Sequence, residues 1–144
     1  MVYGDNLTTI DLPRFIGAHR PERLGTIALF YREDVSQSGV VELDEHGAVR
    51  SFVEKPKPGQ TQSHWVNAGL VMAEPAILDF VPPSGASDFG RDIFPAILQA
   101  GRSLGGYEMS PDEGLWWIDT LDDHRRTNAD EKLHELARAR FATR

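Results

Sequence analysis

The run from Gly25 to Tyr31 (Gly-Thr-Ile-Ala-Leu-Phe-Tyr) constrains the fold more than any other stretch. It is nearly continuously apolar, as expected of a strand covered on both faces. Around it the periodicity keeps changing. Gly39 to Leu43 and Ala48 to Val53 flank Asp44-Glu45-His46-Gly47, which reads as a hairpin whose Gly47 takes positive φ. Trp65 to Ala73, Leu104 to Met109 and Leu115 to Ile118 read as further strands. Between them lie short helices. Asp11 caps one, with Pro13 in its first turn and Leu12, Phe15 and Ile16 facing inward. Glu74-Pro75 opens a second, stopped by Pro82-Pro83, and Ser87-Asp88 caps a turn before a helix that restarts at Pro95 and ends at Gly101. A last helix is expected from Leu121 to about Arg140, with a Thr120–Asp123 capping box and a stripe of Ala129, Leu133, Leu136 and Ala137. Strands alternating with helices, plus one hairpin, predict a layered α/β domain with a mixed sheet.

The 144 residues suffice for one domain, 1–144, with its own core. A net charge of −7 leaves no basic surface for nucleic acid. An acidic chain that binds an anion does so through a few placed cations, backbone amides or a metal. The chain has no Cys, which excludes thiolate catalysis and Cys-based zinc sites and makes a reducing cytoplasm the expected setting. No apolar run approaches the roughly 20 residues that span a bilayer, so no membrane association is expected, and no signal peptide is read at the start. Instead, Met1-Val2-Tyr3-Gly4-Asp5 reads as the tail of a strand, too short for a buried parallel one. The chain is therefore expected to begin in the middle of a fold.

Candidate chemistry concentrates in two places. In Ser51 to Leu70, Val53 hands over to Glu54 and Lys55, and Pro56 ends the pairing because it has no N–H. Further on, Asn67 interrupts an apolar strand and is followed by Ala68 and Gly69. A Gly inside a strand marks a bulge or a close backbone approach, and a buried Asn needs partners. Together these groups make a fitting wall for a phosphorylated, hydroxyl-rich molecule; a solvated strand end and a turn-holding Asn fit the same residues. The second place is the pair Asp5 and Asp119, each read as following directly on an apolar strand. Ligands of open α/β sheets bind at the carboxyl ends of strands, and two carboxylates with few other ligands suit Mg²⁺. Taken singly, Asp5 opens a turn and Asp119 precedes a helix N-terminus, where negative charge is favoured. The histidines are scattered, and there is neither a Gly-x-Ser-x-Gly elbow nor a nucleotide-phosphate loop. Arg91 and Asp92 are read as a local helix-end ion pair, with contact to a ligand as the alternative.

Tyr3-Gly4-Asp5, Phe52-Val53-Glu54-Lys55-Pro56, Val66-Asn67-Ala68-Gly69, residues 88–95 (Asp-Phe-Gly-Arg-Asp-Ile-Phe-Pro) and Trp117-Ile118-Asp119 follow one another in an order that resembles the sugar-1-phosphate nucleotidylyltransferases. The resemblance covers nearly the whole chain. It implies a mixed-sheet, Rossmann-like α/β fold. It also implies Mg²⁺-dependent in-line attack by a sugar 1-phosphate on the α-phosphorus of a nucleoside triphosphate, releasing pyrophosphate. By position, Asp5 and Asp119 would hold the metal, and Lys55 and Asp119 would carry the catalytic role. Glu54 would hydrogen-bond sugar hydroxyls, Lys55 would neutralise the sugar phosphate, and Gly4, Asn67 and the Gly69 backbone would complete the substrate site. The run at residues 88–95 leans toward the mannose or heptose guanylyltransferase type, and a homo-oligomer is a further possible partner state.

Two departures qualify the match. The family opens with a Gly-rich Gly-Thr-Arg-Leu-x-Pro loop well before the Gly-Asp motif, and nothing in this sequence matches it. The chain is thus expected to be the family's C-terminal portion, without the main nucleotide side. The rival expectation is a non-catalytic sugar-phosphate-binding or oligomerisation module left from such an enzyme. Thr120-Leu121-Asp122 also stands where many members have a Gly-Thr turn.

Overall fold

Residues 26–29 have essentially no contact with solvent in the computed structural model, which describes residues 1–141. They lie in β2 (Gly25–Tyr31), near the centre of a five-stranded sheet that also contains β3 (Gly39–Leu43), β4 (Val49–Glu54), β5 (Trp65–Ala73) and β6 (Leu104–Glu108). The order is β4-β3-β5-β2-β6. β2 runs antiparallel to β5 and parallel to β6, so the sheet is mixed as expected. Successive side chains of a strand point to opposite faces, and β2 shows the result. Ile27 and Leu29 enter a core with Val41, Phe52, Val71, Phe94 and Ile97, whereas Ala28 joins Phe15, Leu70, Tyr107 and Leu115 on the other side. The β3–β4 hairpin turns where expected. Gly47 has φ +70°, and the Asp44 carboxylate accepts the N–H groups of His46 at 2.9 Å and Ala48 at 2.8 Å.

A second, two-stranded sheet covers the Ala28 face. It pairs β1 (Asn6–Thr8) antiparallel with β7 (Leu115–Trp117). The strand expected at Val2-Tyr3 is only a bridge to β5, through Val2 opposite Leu70, and the true strand starts at Asn6. Polar Asn6 and Thr8 around a single Leu7 hid it from an apolar-run reading. After β1, Asp11 caps α1 (Leu12–Gly17) by accepting the Arg14 N–H at 3.0 Å. Only Phe15 of its expected inward face is buried; Leu12 and Ile16 are both about half exposed. A six-residue helix lying over a small sheet has contact for little more than one anchor.

Glu113, in the turn before β7, is 1% exposed. Its carboxylate accepts the Asp11 N–H at 2.6 Å, the Ser110 N–H at 2.8 Å and the Tyr107 hydroxyl at 3.0 Å. Burial first, then this carboxylate, pushes the Tyr107 hydroxyl up to about 12, which keeps it protonated as a donor. Stranding a buried donor costs about 1–3 kcal/mol. Glu113→Ala strands several, so urea unfolding is expected to show a loss of about 3 kcal/mol; a loss below about 1 kcal/mol would contradict this account.

The other face of the sheet is covered by a 3₁₀ helix (Pro75–Phe80), a π-helical turn (Phe89–Ile93) and α2 (Phe94–Gln99). The expected final helix is divided into α3 (Leu121–Ala129) and α4 (Glu131–Phe141). The break is at Asp130, which leaves the helical conformation at ψ 109°. Its carboxylate accepts the Trp116 indole N–H at 2.9 Å and the Leu133 N–H at 3.1 Å, so it both ties the helices to β7 and caps α4. The Trp116 bond, followed by the Leu133 amide, holds the Asp130 carboxyl below its ordinary range. Leu133 is buried as expected, but Ala129 is exposed and Thr127 takes the inward place. The capping box at Thr120 and Asp123 is formed.

Candidate functional site

The site is built on a fault in the central sheet. Ile27 pairs with Val71 and Leu29 with Asn67, so the single residue Ala28 faces three residues of β5. Ala68, Gly69 and Leu70 are the three, and the chain turns there toward the N-terminal segment. Tyr3 N–H donates to the Gly69 carbonyl at 2.8 Å, and Val71 N–H donates to the Met1 carbonyl at 3.0 Å. Gly69 has φ +75°, a conformation open to Gly at little cost. The bulge inferred from Asn67-Ala68-Gly69 is therefore present, and it joins the two sheets.

Several polar groups converge at this joint. Asn67 Oδ1 accepts the Gly69 N–H at 3.0 Å. Asn6 Nδ2 donates to the Ala68 carbonyl at 3.0 Å, while Asn6 Oδ1 is buried with no hydrogen-bond partner among the described residues. Ile118 N–H donates to the Asp5 carbonyl at 2.9 Å. That bond continues the β1–β7 ladder and brings Asp5 next to the segment carrying Asp119.

Asp5, Glu54, Asn67 and Asp119 all line one cavity of about 200 Å³. Its wall also includes Tyr3, Asn6, Gln37, Ser38, Gly39, Asp88, Gly90 and Trp117. Four elements far apart in sequence thus deliver four of the candidate residues to one place. The wall is acidic. Burial, then the Asp88 charge, raises the Glu54 carboxyl above its ordinary range, against the opposing pull of Lys55 and Arg91. Burial also raises the Tyr3 hydroxyl, with Asn67 opposing and Asp88, Glu54 and Asp5 adding to it.

Lys55, Gly4 and Gly69 stand off the wall. Gly4 faces open space, and Gly69 lies behind Asn6 and the Tyr3 ring. Lys55 is exposed and has φ +47°, alone among the described non-Gly residues in its positive φ. Such a conformation costs about 1–3 kcal/mol and persists where surrounding structure holds it. Here Lys55 N–H still bonds the Ser38 carbonyl at 3.0 Å and Pro56 is buried, so the chain leaves β4 in a fixed direction. Arg91 and Asp92 form the local pair read from sequence, 3.6 Å apart, outside the wall.

Sequence reasoning missed Asn6, Gln37, Ser38 and Gly39. Asn6 directly follows the Gly4-Asp5 motif, which is the one signal that pointed to it. No group of three or more His, Cys, Asp or Glu residues among the described residues is placed to hold a metal by itself. Two carboxylates sharing a cavity do fit Mg²⁺, which keeps waters and takes further oxygens from substrate phosphate.

Sequence comparison fits this architecture. The nucleotidyl transferase family model matches residues 1–124, and the chain belongs to that family. The UTP–glucose-1-phosphate uridylyltransferase of Synechocystis sp. is 33% identical over 121 residues, covering 81% of this chain and 30% of the relative. The mannose-1-phosphate guanylyltransferase of Mycobacterium tuberculosis is 31% identical over 131 residues, 88% of this chain and 35% of the relative. The chain therefore spans about a third of the length of these curated relatives. Among solved structures, HddC from Yersinia pseudotuberculosis superposes with a TM-score of 0.66 at 20% identity, over 87% of this chain and 51% of that one. A Bacillus anthracis protein in complex with sucrose gives 0.70 at 21%, over 89% and 52%. At these identities the likeness is one of fold, the Rossmann-like mixed α/β type. No helix among the described residues is long and apolar enough to cross a membrane.

Proposed function

We propose that the cavity is the sugar-1-phosphate side of a nucleotidyl-transfer site, in an activity that joins a sugar 1-phosphate to a nucleoside triphosphate. The observation that carries this reading is the convergence of Asp5, Glu54, Asn67 and Asp119 on one wall. In the reaction, a phosphate oxygen of the sugar 1-phosphate forms a bond to the α-phosphorus, and the bond to the β-phosphate oxygen breaks to release pyrophosphate. No protein nucleophile is required; the work is alignment and neutralisation of charge. Asp5 and Asp119 would hold a magnesium ion, which supplies charge neutralisation for the phosphoryl groups. Glu54 accepts sugar hydroxyl hydrogen bonds, and the desolvation of its carboxyl strengthens them. Asn67, whose Oδ1 is held by the Gly69 N–H, presents its remaining bonding capacity to the ring. Lys55 reaches the phosphate from the rim. Mannose 1-phosphate with a guanine nucleotide is the preferred pair, supported by the M. tuberculosis relative and by the fold likeness to HddC, which has also been solved with GMP-PN.

The test is calorimetry with mannose 1-phosphate and Mg²⁺, run beside a pyrophosphate-release assay with GTP. Binding with release supports the full reading. Binding without release favours a sugar-phosphate-binding module, and no binding of any sugar phosphate overturns both. Lys55→Ala is expected to weaken mannose 1-phosphate binding by about 10- to 100-fold, the value of one charge-assisted hydrogen bond. Since Lys55 is exposed, the melting temperature should not move. Unchanged affinity would remove Lys55 from the phosphate.

A further inference from the structure

Glu54 reaches the cavity between two backbones that carry no side chain. Gly39 opens β3 and pairs directly with Glu54 across the ladder. A Cβ there would come 2.8 Å from Glu54 Oε2 and 2.6 Å from Phe52 Cζ. Gly90 approaches from the opposite element, the π-helical turn that Asp88 caps. A Cβ on Gly90 would stand 3.0 Å from the same Oε2 and 3.1 Å from Phe52 Cε1. Both glycines are buried, and neither has a positive φ, so conformational freedom does not account for them. Space does: the buried Phe52 ring meets both missing side chains, and the Glu54 carboxylate fits in the gap that remains.

We propose that Gly90 is a positioning residue that, with Gly39, forms a slot holding the Glu54 carboxylate in the sugar cavity. The proposal rests on the reading of that cavity as a sugar-phosphate site. It assigns a task to the π-helical turn, which places the Gly90 backbone against the carboxylate. Glu54 is exposed as a residue, but its Oε2 sits in this gap, so an Ala at either position fills the slot and displaces the carboxylate from it. The charged groups acting on the Glu54 carboxyl are Asp88, Lys55 and Arg91, and the titratable Tyr3 hydroxyl shares the cavity wall with it and feels its charge.

Carboxyl-detected NMR of isotope-labelled protein tests the slot without any ligand. In the native chain the Glu54 carboxyl should titrate above the ordinary carboxylate range and show side-chain Overhauser contacts to the Gly39 Hα protons. In Gly90→Ala those contacts should vanish and the titration should fall into the ordinary range. Mannose 1-phosphate affinity should drop about tenfold or more, as expected when one charged hydrogen bond is lost. Where Gly90→Ala alone unfolds, Phe52→Leu in the same chain removes the ring that the new Cβ also meets, leaving only its encounter with Glu54. Glu54→Asp changes no buried packing; its shorter acid falls short of the slot and should titrate in the ordinary range. A folded Gly90→Ala chain that keeps the Gly39 contacts and the raised titration overturns the proposal, as does a raised Asp in Glu54→Asp. Loss of the contacts with unchanged affinity would leave the slot standing and overturn the sugar-site reading.

Discussion

Gly69→Ala is expected to cost about 3 kcal/mol of stability and to abolish sugar-phosphate binding, combining left-handed strain with overpacking. At φ +75° an L side chain is strained before any neighbour is considered. A Cβ there would also run into the Asn6 amide nitrogen and stand 3.0 Å from the Tyr3 ring. Neither can move away freely. Tyr3 is held by its N–H bond to the Gly69 carbonyl, and the Asn6 amide by its bond to the Ala68 carbonyl. The substitution therefore wedges apart the joint between the two sheets, and Tyr3 and Asn6 are both in the cavity wall. Urea denaturation should show a lower midpoint at unchanged slope, which reports a stability change rather than altered compactness. A loss below about 1 kcal/mol would mean that the bulge relaxes, against the interior packing argued here.

The bulge was legible in the sequence, as one of two readings, because its signal is local: a Gly inside an apolar strand marks a bulge or a close backbone approach. The β2 run and the β3–β4 hairpin were legible for the same reason, since period and turn chemistry are written in consecutive residues. What escaped reading depends on contacts between distant residues. Asn6–Thr8 becomes a strand because β7 pairs with it. The last helix breaks at Asp130 because the Trp116 indole takes that carboxylate. Leu12 and Ile16 follow a helical pattern that outruns the surface available to α1. The same division runs through the site. Asp5, Glu54, Asn67 and Asp119 were singled out from residue type and position, and their meeting in one cavity follows from the topology. The Gly39–Gly90 slot was not found, because a Gly whose value lies in the space it leaves carries no mark in its own neighbourhood.

On the proposed reading, Asp119→Asn is expected to lower pyrophosphate release by about 10²- to 10³-fold, the size of loss known for removal of one preorganised oxyanion-hole donor. The change is nearly isosteric and touches none of the bonds that shape the loop. Thr120 and Asp123 make the capping box that starts α3, and the Asp5 carbonyl is engaged by the Ile118 backbone. Asp5→Asn should have an effect of similar size, and the double variant should be little worse than either, because groups that act as one unit lose their function together. Mn²⁺ binding followed by electron paramagnetic resonance gives a reading that does not need turnover, and it should weaken in both variants. The competing role for Asp119 is favourable charge just before the α3 N-terminus, worth about 0.3–1 kcal/mol. That role predicts a small drop in melting temperature and unchanged Mn²⁺ binding. Weakened Mn²⁺ binding with an unmoved melt assigns Asp119 to the metal; the reverse pattern returns it to the helix and dissolves the pair with Asp5.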